Sequence, residues 1–510
     1  VIFGHQNDTH HKAGSTEEGF TNSDTKDITG SIAGVVGIDT LSLTGNEAST
    51  WDTPEAQRIQ FVADLTRSAA AEGAVITLSA HMPNFDLIDQ KVKAFEASNK
   101  TGNTSDTLGY WEVNGEKQYN FSGYTPGTLT GNVVARIMPE QDLNYLFTDY
   151  LDLIADYAKA VEKDGITILF RPFHENTGSW FWWGAALCDK EAYINLYRYT
   201  VDYLKEQGVH NFLYVYGPGS EAANAVEYAQ RYPGDAYVDM IGYDLYHSYP
   251  TKENQAGYLE NIHKQNMILQ EFAQKHNKLY AITETGVANG SNALLTSGNE
   301  VLDWYMQLLN EISDDGVCYF LTWANFNDTT SFYTPFVKEK RENSVLYGHE
   351  MLDEFIRFYN DEKSVFATDM HNGFAQLNGI TNTTKENAVA GYIVSPISGD
   401  KLLPRQTEKG TRIAAKVTGI DKSGSVRFVL TSDFDQEICK ASYNEETKIW
   451  EAVLPDYALV NLGEGLGTIV LIVNEQEIAS ISIGFNMTEA EQNDLNPEDF
   501  ESYGGSDELL

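Results

Sequence analysis

An α/β chain, built as a (β/α)8 TIM barrel with a C-terminal all-β immunoglobulin-like sandwich, is the architecture this sequence predicts, and three observations predict it. Eight short apolar runs recur up to about residue 325, most of them separated by helix-length segments and each ending in polar or aromatic residues; eight such units close a parallel barrel. Beyond residue 387 the pattern changes to short alternating runs spaced by Gly, Asp, Asn and Pro, about seven in roughly a hundred residues, which is the mark of a sandwich. The length of 510 residues, finally, exceeds what one small core can organise.

Taken in order, the eight runs are Val1–Gln6, Val35–Asp39, Val75–His81, Ile166–Glu175, Phe212–Gly217, Met240–Tyr246, Tyr280–Gly286 and Cys318–Asn325. Between them Pro54–Ala71, Gln141–Glu162, Glu191–Gln207, Gln255–His276 and Val301–Ile312 carry apolar residues at helical spacing, so they are expected to cover the outside of a parallel sheet. One connection is far longer than the rest. Residues 82–139 are rich in Gly, Asn, Thr, Ser and Tyr, with Gly-Tyr-Trp at 109–111 and Gly-Tyr at 123–124. Following the third strand, this loop is expected to rise from the C-terminal face of the barrel and wall a cleft.

A helix over 350–359 is expected to close a barrel domain spanning 1–360. Residues 361–386 turn polar and read as a linker or a packed crossover. The segment 387–486 holds the runs Tyr392–Ile397, Thr411–Val417, Ser425–Leu430, Glu437–Tyr443, Ile449–Leu454, Thr468–Val473 and Ile478–Ile483, read as sandwich strands. From 487 to 510 the chain is acidic, without Lys or Arg, and reads as a solvated flexible tail.

With 74 acidic residues against 35 Lys and Arg, the net charge is −39, which opposes attraction to phosphate backbones and anionic lipid; no nucleic acid and no membrane insertion are expected. A neutral polymer is indifferent to that charge, and an acidic surface keeps a secreted protein soluble. Cys188, Cys318 and Cys439 are odd in number and far apart, so they read as buried or free thiols rather than a disulfide framework. No ligand spacing suits zinc or calcium, and neither metal nor cofactor is expected. No apolar run reaches the ~18 residues that span a bilayer. Because the chain begins inside a strand-like segment, a signal peptide is expected to have gone already.

The fourth run carries the chemistry. Its apolar residues empty into His174-Glu175, and Trp180-Phe181-Trp182-Trp183 follow at once, so an acid stands beside a sugar-sized platform. Hydrolysis of a glycosidic bond uses one carboxylic acid to protonate the leaving oxygen and a second carboxylate across the sugar. On a barrel both belong at strand C-termini. Glu175 ends the fourth run, and Glu284, in Ala281-Ile282-Thr283-Glu284-Thr285-Gly286, ends the seventh. Strands four and seven lie on opposite sides of the ring, so the two glutamates face each other across a cleft. A lone glutamate after a strand is more often a helix cap or a surface ion pair. Arg171 and His174 beside one, and the Thr-Glu-Thr-Gly setting of the other, favour a catalytic pair.

The stretch Arg171-Pro172-Phe173-His174-Glu175-Asn176-Thr177-Gly178-Ser179-Trp180-Phe181-Trp182-Trp183-Gly184 resembles the acid/base signature of glycoside hydrolase family 26, whose members include bacterial endo-β-1,4-mannanases. His5-Gln6, Ser79-Ala80-His81, Gly242-Tyr243-Asp244-Leu245-Tyr246, Thr283-Glu284-Thr285-Gly286 and Thr322-Trp323-Ala324-Asn325 resemble that family's pattern in the same order, over residues 1–360. The resemblance implies retaining, endo-acting hydrolysis of β-1,4-mannosidic linkages in mannan, glucomannan and galactomannan by double displacement. It implies Glu175 as acid/base, Glu284 as nucleophile, Tyr246 bonding the nucleophile and Trp323 as the floor under the cleaved sugar. By the same likeness His81 and His174 lie near that sugar's hydroxyls, Trp180 on the leaving-group side and Asp244 close to the cleft, all of them, with Tyr246 and Trp323, expected to bind substrate. A physical reading runs alongside: an imidazole beside the acid can donate to or accept from an axial 2-hydroxyl such as that of mannose. His81 also reads as a satisfied structural histidine, and His10 and His11 receive no role.

Neighbouring side chains point in different directions, so about half of the aromatic run belongs to packing; Trp180 and Trp323 are the expected stacking residues, Tyr243 and Phe326 wall or core. Arg171 is expected to supply the countercharge that keeps Glu284 ionised, or else to form a structural ion pair. Related patterns accompany β-1,3-xylanases, mixed-linkage β-glucanases and mannobiose-releasing exo-enzymes, and the 82–139 loop is where these would differ. A non-catalytic glycan-binding protein is the reading from another class, and the intact glutamate pair argues against it. In the C-terminal module Tyr392, Tyr443 and Trp450 read as sandwich core rather than a sugar platform, in an accessory domain that packs on or spaces the barrel. The expectation is thus a monomeric bacterial enzyme, secreted or cell-surface attached, with β-mannan polysaccharides and manno-oligosaccharides as its partners.

Overall fold

The computed structural model describes residues 1–341, 345–374, 388–404 and 410–487. Eight strands, β1 (Ile2–Gln6), β2 (Val35–Asp39), β3 (Val75–Ala80), β4 (Ile168–Pro172), β5 (Phe212–Tyr216), β6 (Met240–Ser248), β7 (Leu279–Ala288) and β8 (Tyr319–Thr322), form a closed barrel. Each pairs in parallel with its sequence neighbours, and β8 returns to β1 with Ile2 opposite Tyr319. Most strand residues, polar as well as apolar, are buried, as a sheet covered on both faces requires.

Between strands run α1 (Glu55–Ala71), α2 (Phe85–Ala97), α3 (Asn144–Glu162), α4 (Lys190–Glu206), α5 (Gln255–His276) and α6 (Trp304–Ile312), and α7 (Leu352–Tyr359) follows β8. Pro54 sits at the N-cap of α1, Asn84 caps α2 by accepting from the amides of Asp86 and Leu87, and Asp189 caps α4 from that of Ala192. Within α2, Phe85, Ile88, Val92 and Phe95 are buried along one face. The 82–139 connection is therefore not an irregular loop. It carries α2, then a hairpin of Tyr110–Val113 with Glu116–Tyr119, and only the remainder crosses the top of the barrel without regular structure of any length.

Residues 361–374, read as part of a linker or a packed crossover, fold against the barrel. Val365 accepts from the amide of Phe3, and Phe366 is fully buried in an aromatic cluster with Phe3, Phe355 and Phe358. The helix α8 (Ala367–Phe374) then packs under the strand starts, so close that a Cβ on Gly73 would lie 2.5 Å from the Ala367 carbonyl. The rest of the expected linker, 375–386, and the tail from 488 lie outside the described residues.

The C-terminal module is a two-sheet sandwich. Ala390–Ser395, Thr411–Thr418, Ile449–Leu454 and Ser442–Asn444 form one sheet; Lys401–Leu402, Gln476–Phe485, Gly465–Val473, Val426–Ser432 and Gln436–Lys440 form the other. The run 437–443, read as one strand, is two: its first part pairs with Val426–Ser432 and its second with Ile449–Leu454, in the opposite sheet. Phe428, Leu430, Trp450, Leu454, Ile469 and Leu471 fill the space between the sheets. Tyr392 faces the other way, into the barrel's own core together with Val394 and Ile397, and its ring lies 5.8 Å from Tyr199 on α4. Arg198 of α4 donates to the carbonyls of Gly391 (2.9 Å) and Ile478 (2.5 Å), so the two modules share an interior rather than a tether. All three cysteines are free. No described helix is long and apolar enough to cross a membrane.

Candidate active site

The site begins with a turn. β4 stops at Pro172, three residues short of Glu175, because the backbone folds sharply: Phe173 and Glu175 adopt φ of 50° and 52°, on either side of His174. Side chains other than glycine enter that region at a cost of about 1–3 kcal/mol, and persist there only when the surroundings hold them. Here the surroundings are aromatic. The Tyr193 hydroxyl of α4 donates to the Phe173 carbonyl (3.0 Å), Trp183 Nε1 to the His174 carbonyl (2.7 Å), and the Glu175 amide to Gly217 at the end of β5 (2.8 Å). Trp182 Nε1 meets the Met82 carbonyl at 3.2 Å. Phe181, Trp182 and Trp183 are thus buried supports of the turn. Only Trp180 stays half-exposed, and its Nε1 donates to Glu175 Oε2 at 2.6 Å.

Opposite stands Glu284 on β7, which continues beyond it to Ala288. The Tyr246 hydroxyl donates to its Oε1 and Arg171 Nη2 to its Oε2, both at 2.6 Å. Arg171 Nη1 donates at 2.6 Å to Asp244, whose other oxygen accepts from Thr283 Oγ1 at 2.7 Å. One guanidinium therefore faces Asp244 and Glu284 directly, with Glu175 near enough to feel its charge. Burial, then the Glu284 and Asp244 carboxylates, push Glu175 well above the usual carboxylate range. Burial likewise pushes Asp244 up to about 8, against the pull of Arg171. The Asp244 side chain is fully enclosed with both oxygens engaged. It supports Arg171 from beneath, which corrects its expected place among the sugar-facing residues.

A histidine pair completes the floor. His81 Nδ1 lies 2.7 Å from Asp39 Oδ2, and Asp39 is itself bound by Ser79 Oγ and the Leu41 amide. Burial works to lower the His81 pKa, but the Asp39 carboxylate overrides it and leaves it raised. His174 is lowered well below the usual imidazole value by burial, then by the charges of Arg171 and His81. The two Nε2 atoms are 3.2 Å apart, so one ring donates and the other accepts. The half-exposed Trp323, one residue past β8, has its ring 5.4 Å from that of His81. Among the described residues no group of three His, Cys, Asp or Glu is placed to hold a metal ion.

The profile of glycosyl hydrolase family 26 matches residues 1–350. The chain belongs to that family. Over 97% of its length the family-26 chain is 27% identical to a mannan endo-1,4-beta-mannosidase from Bifidobacterium adolescentis, and over 43% it is 30% identical to one from Bacillus subtilis. It spans 46% and 59% of those relatives' own lengths. Among solved structures, the modular endo-beta-1,4-mannanase from Cellulomonas fimi superposes with a TM-score of 0.70 at 27% identity, covering 95% of this chain and 93% of the other. The catalytic domain of a family-26 endo-beta-1,4-mannanase from Bacillus sp. JAMB-750 does so at 0.59 with 31% identity, over 72% and 88%. The first of these likenesses takes in the sandwich region as well as the barrel.

Of the residues read from sequence, the family-26 barrel brings Glu175, Glu284, Arg171, His81, His174, Trp180, Tyr246 and Trp323 to one end of the sheet. Asp39 was missed, although an acid at the end of Val35-Val36-Gly37-Ile38-Asp39 was visible. Also missed was Glu47, which burial pushes up to about 7 and which accepts from Asn7 Nδ2 at 3.1 Å.

Proposed function

We propose that this chain hydrolyses β-1,4-mannosidic linkages in mannan, glucomannan and galactomannan, acting within the polymer and with retention. The observation that carries the reading is the unequal setting of the two glutamates. Glu284 is gripped by Arg171 and Tyr246 at 2.6 Å each, whereas Glu175 bonds the Trp180 indole instead, and burial and the neighbouring carboxylates raise its pKa, favouring the protonated form. In the first step the Glu175 carboxyl gives its proton to the glycosidic oxygen as the carbon–oxygen bond breaks, and Glu284 forms an ester to the anomeric carbon. Glu175, now a carboxylate, takes a proton from water; that water attacks the same carbon and the ester breaks, restoring both groups. The Tyr246 hydroxyl orients the attacking oxygen, and the Trp180 indole N–H steadies Glu175 while it is charged. His174, neutral and adjacent to the acid, suits a sugar hydroxyl on that side, with Trp323 beneath the ring. The enzyme works as a monomer outside the cell or on its surface, where a net charge of −39 does not hinder contact with a neutral polymer.

Assays on galactomannan test this directly. Glu175→Ala and Glu284→Ala should each lower turnover by about 10³-fold or more. Azide should restore part of the Glu284→Ala activity with inverted product, and proton NMR of the wild-type reaction should show the β-anomer first. Near-wild-type turnover in either variant, or an α-anomer from the wild type, contradicts the assignment. Binding to insoluble mannan without release of reducing sugar would favour a non-catalytic protein instead.

A further inference from the structure

The last stretch of the connection after β3 has so far served no purpose in the chemistry, yet it is held with care. Gly123, at φ of 105°, donates its amide to Asn46 Oδ1 (2.8 Å) in the loop after β2, and Asn46 is fixed in turn on Thr44 Oγ1 (2.7 Å). Trp51 of the same β2 loop stacks on Trp111 of the hairpin, with centroids 6.1 Å apart, and Arg58 lies over Trp111 at 5.8 Å. On the other side of Tyr124, Thr125 Oγ1 accepts from the Asn84 amide and the Pro126 carbonyl from the Trp182 amide. The backbone is anchored on both sides of Tyr124, and the residue between the anchors is a large aromatic left 62% exposed.

Scattered exposed aromatics are ordinary; this one is placed beside the catalytic residues. Its ring lies 5.8 Å from His81, which also has the rings of His174, Phe181 and Trp323 around it. Resting on the mannanase reading above, we propose that Tyr124 is a specificity-determining residue that contacts the sugar held over His81 and Trp323, and that the Asn46 clasp presets its position. Such a residue contributes to binding and takes no part in bond making.

Kinetics on mannotetraose and mannohexaose separate these effects. Tyr124→Ala should raise KM about three- to tenfold, the worth of one aromatic contact, with kcat within about threefold of wild type and an altered ratio of product lengths. Tyr124→Phe keeps the ring and reports the hydroxyl alone, and Asn46→Ala, which removes the clasp and leaves Tyr124 in place, should reproduce part of the KM rise. If the wild type cleaves mannan and Tyr124→Ala leaves KM and product lengths unchanged, or lowers kcat alone, this inference is overturned and the mannanase reading stands. If the wild type cleaves no mannan, both fall.

Discussion

At the scale of single residues the acid is the informative group, because two neighbours move it in opposite directions. The Trp180 indole donates to Glu175 and favours its charged form; the Asp244 carboxylate repels that form. A general acid works only while protonated, so the alkaline limb of the kcat/KM profile follows its pKa. Trp180→Phe removes the donor, raises the pKa and should carry that limb to higher pH. Asp244 itself titrates at about pH 8, so Asp244→Asn removes a charge that is present only above that pH. There it lowers the Glu175 pKa and should carry the alkaline limb to lower pH, with kcat down about 10- to 100-fold as Arg171 loses half its anchorage. Limbs that move together, or not at all, would show that another group sets the profile. The two glutamates proposed as the catalytic pair were legible in the sequence because each ends an apolar run in a distinctive local setting, although the partners of Glu284, Arg171 and Tyr246, lie on other strands. Asp39 was not, since its contact with His81 joins residues 42 positions apart. Asp244 was misplaced for a reason of depth: at about 3.3 Å per strand residue it sits about 7 Å below Tyr246 on the same side of β6, and alternation says which way a side chain points but not how deep it lies.

Among the elements, the turn after β4 shows how packing imposes a conformation that local preference resists. The sequence reading extended the strand to Glu175, since Arg-Pro-Phe-His looks continuous with the apolar run; the strand ends at Pro172 and two non-glycine residues take positive φ. What enforces this lies elsewhere in the chain, in hydroxyl and indole donors that no local pattern reveals. Tyr193→Phe deletes one such donor and leaves the Phe173 carbonyl buried without it. Expected are a loss of about 1–3 kcal/mol in chemical denaturation and a severalfold lower kcat, because the His174–Glu175 pair samples other orientations. Lost stability with unchanged kcat would mean the remaining bonds hold the turn unaided. The same contrast explains the other elements. Barrel strands were legible because a sheet covered on both faces demands continuous apolar runs, whereas α2 was hidden by the Gly, Thr and Ser that follow it, despite Phe85, Ile88, Val92 and Phe95 on one face. The strand read at 437–443 changes sheets near Ala441, and alternation continues unbroken through such a crossing.

For the molecule as a whole, α4 is where the two modules become one structure. Tyr193, near its start, supports the catalytic turn; Arg198 and Tyr199, less than two turns on, hold the sandwich through the Gly391 and Ile478 carbonyls and the Tyr392 ring. Asp189 at its N-cap also accepts from Ser398, and Glu206 at its end pairs with Lys416 at 2.6 Å. A helix bound on one face to the barrel and on the other to the sandwich cannot lose either partner without exposing apolar surface, so unfolding should be cooperative. Calorimetry of the intact chain should therefore give one transition. Arg198→Ala leaves the carbonyls of Pro233, Gly391 and Ile478 without their donor, at about 1–3 kcal/mol for each that stays buried. It should lower the midpoint and resolve a separate sandwich transition. Because Tyr193 rides on the same helix, turnover should fall with it by a few-fold at temperatures where the sandwich has melted and the barrel has not. Two transitions in the wild type, or full activity in Arg198→Ala after the sandwich has unfolded, would show that α4 is held by the barrel alone.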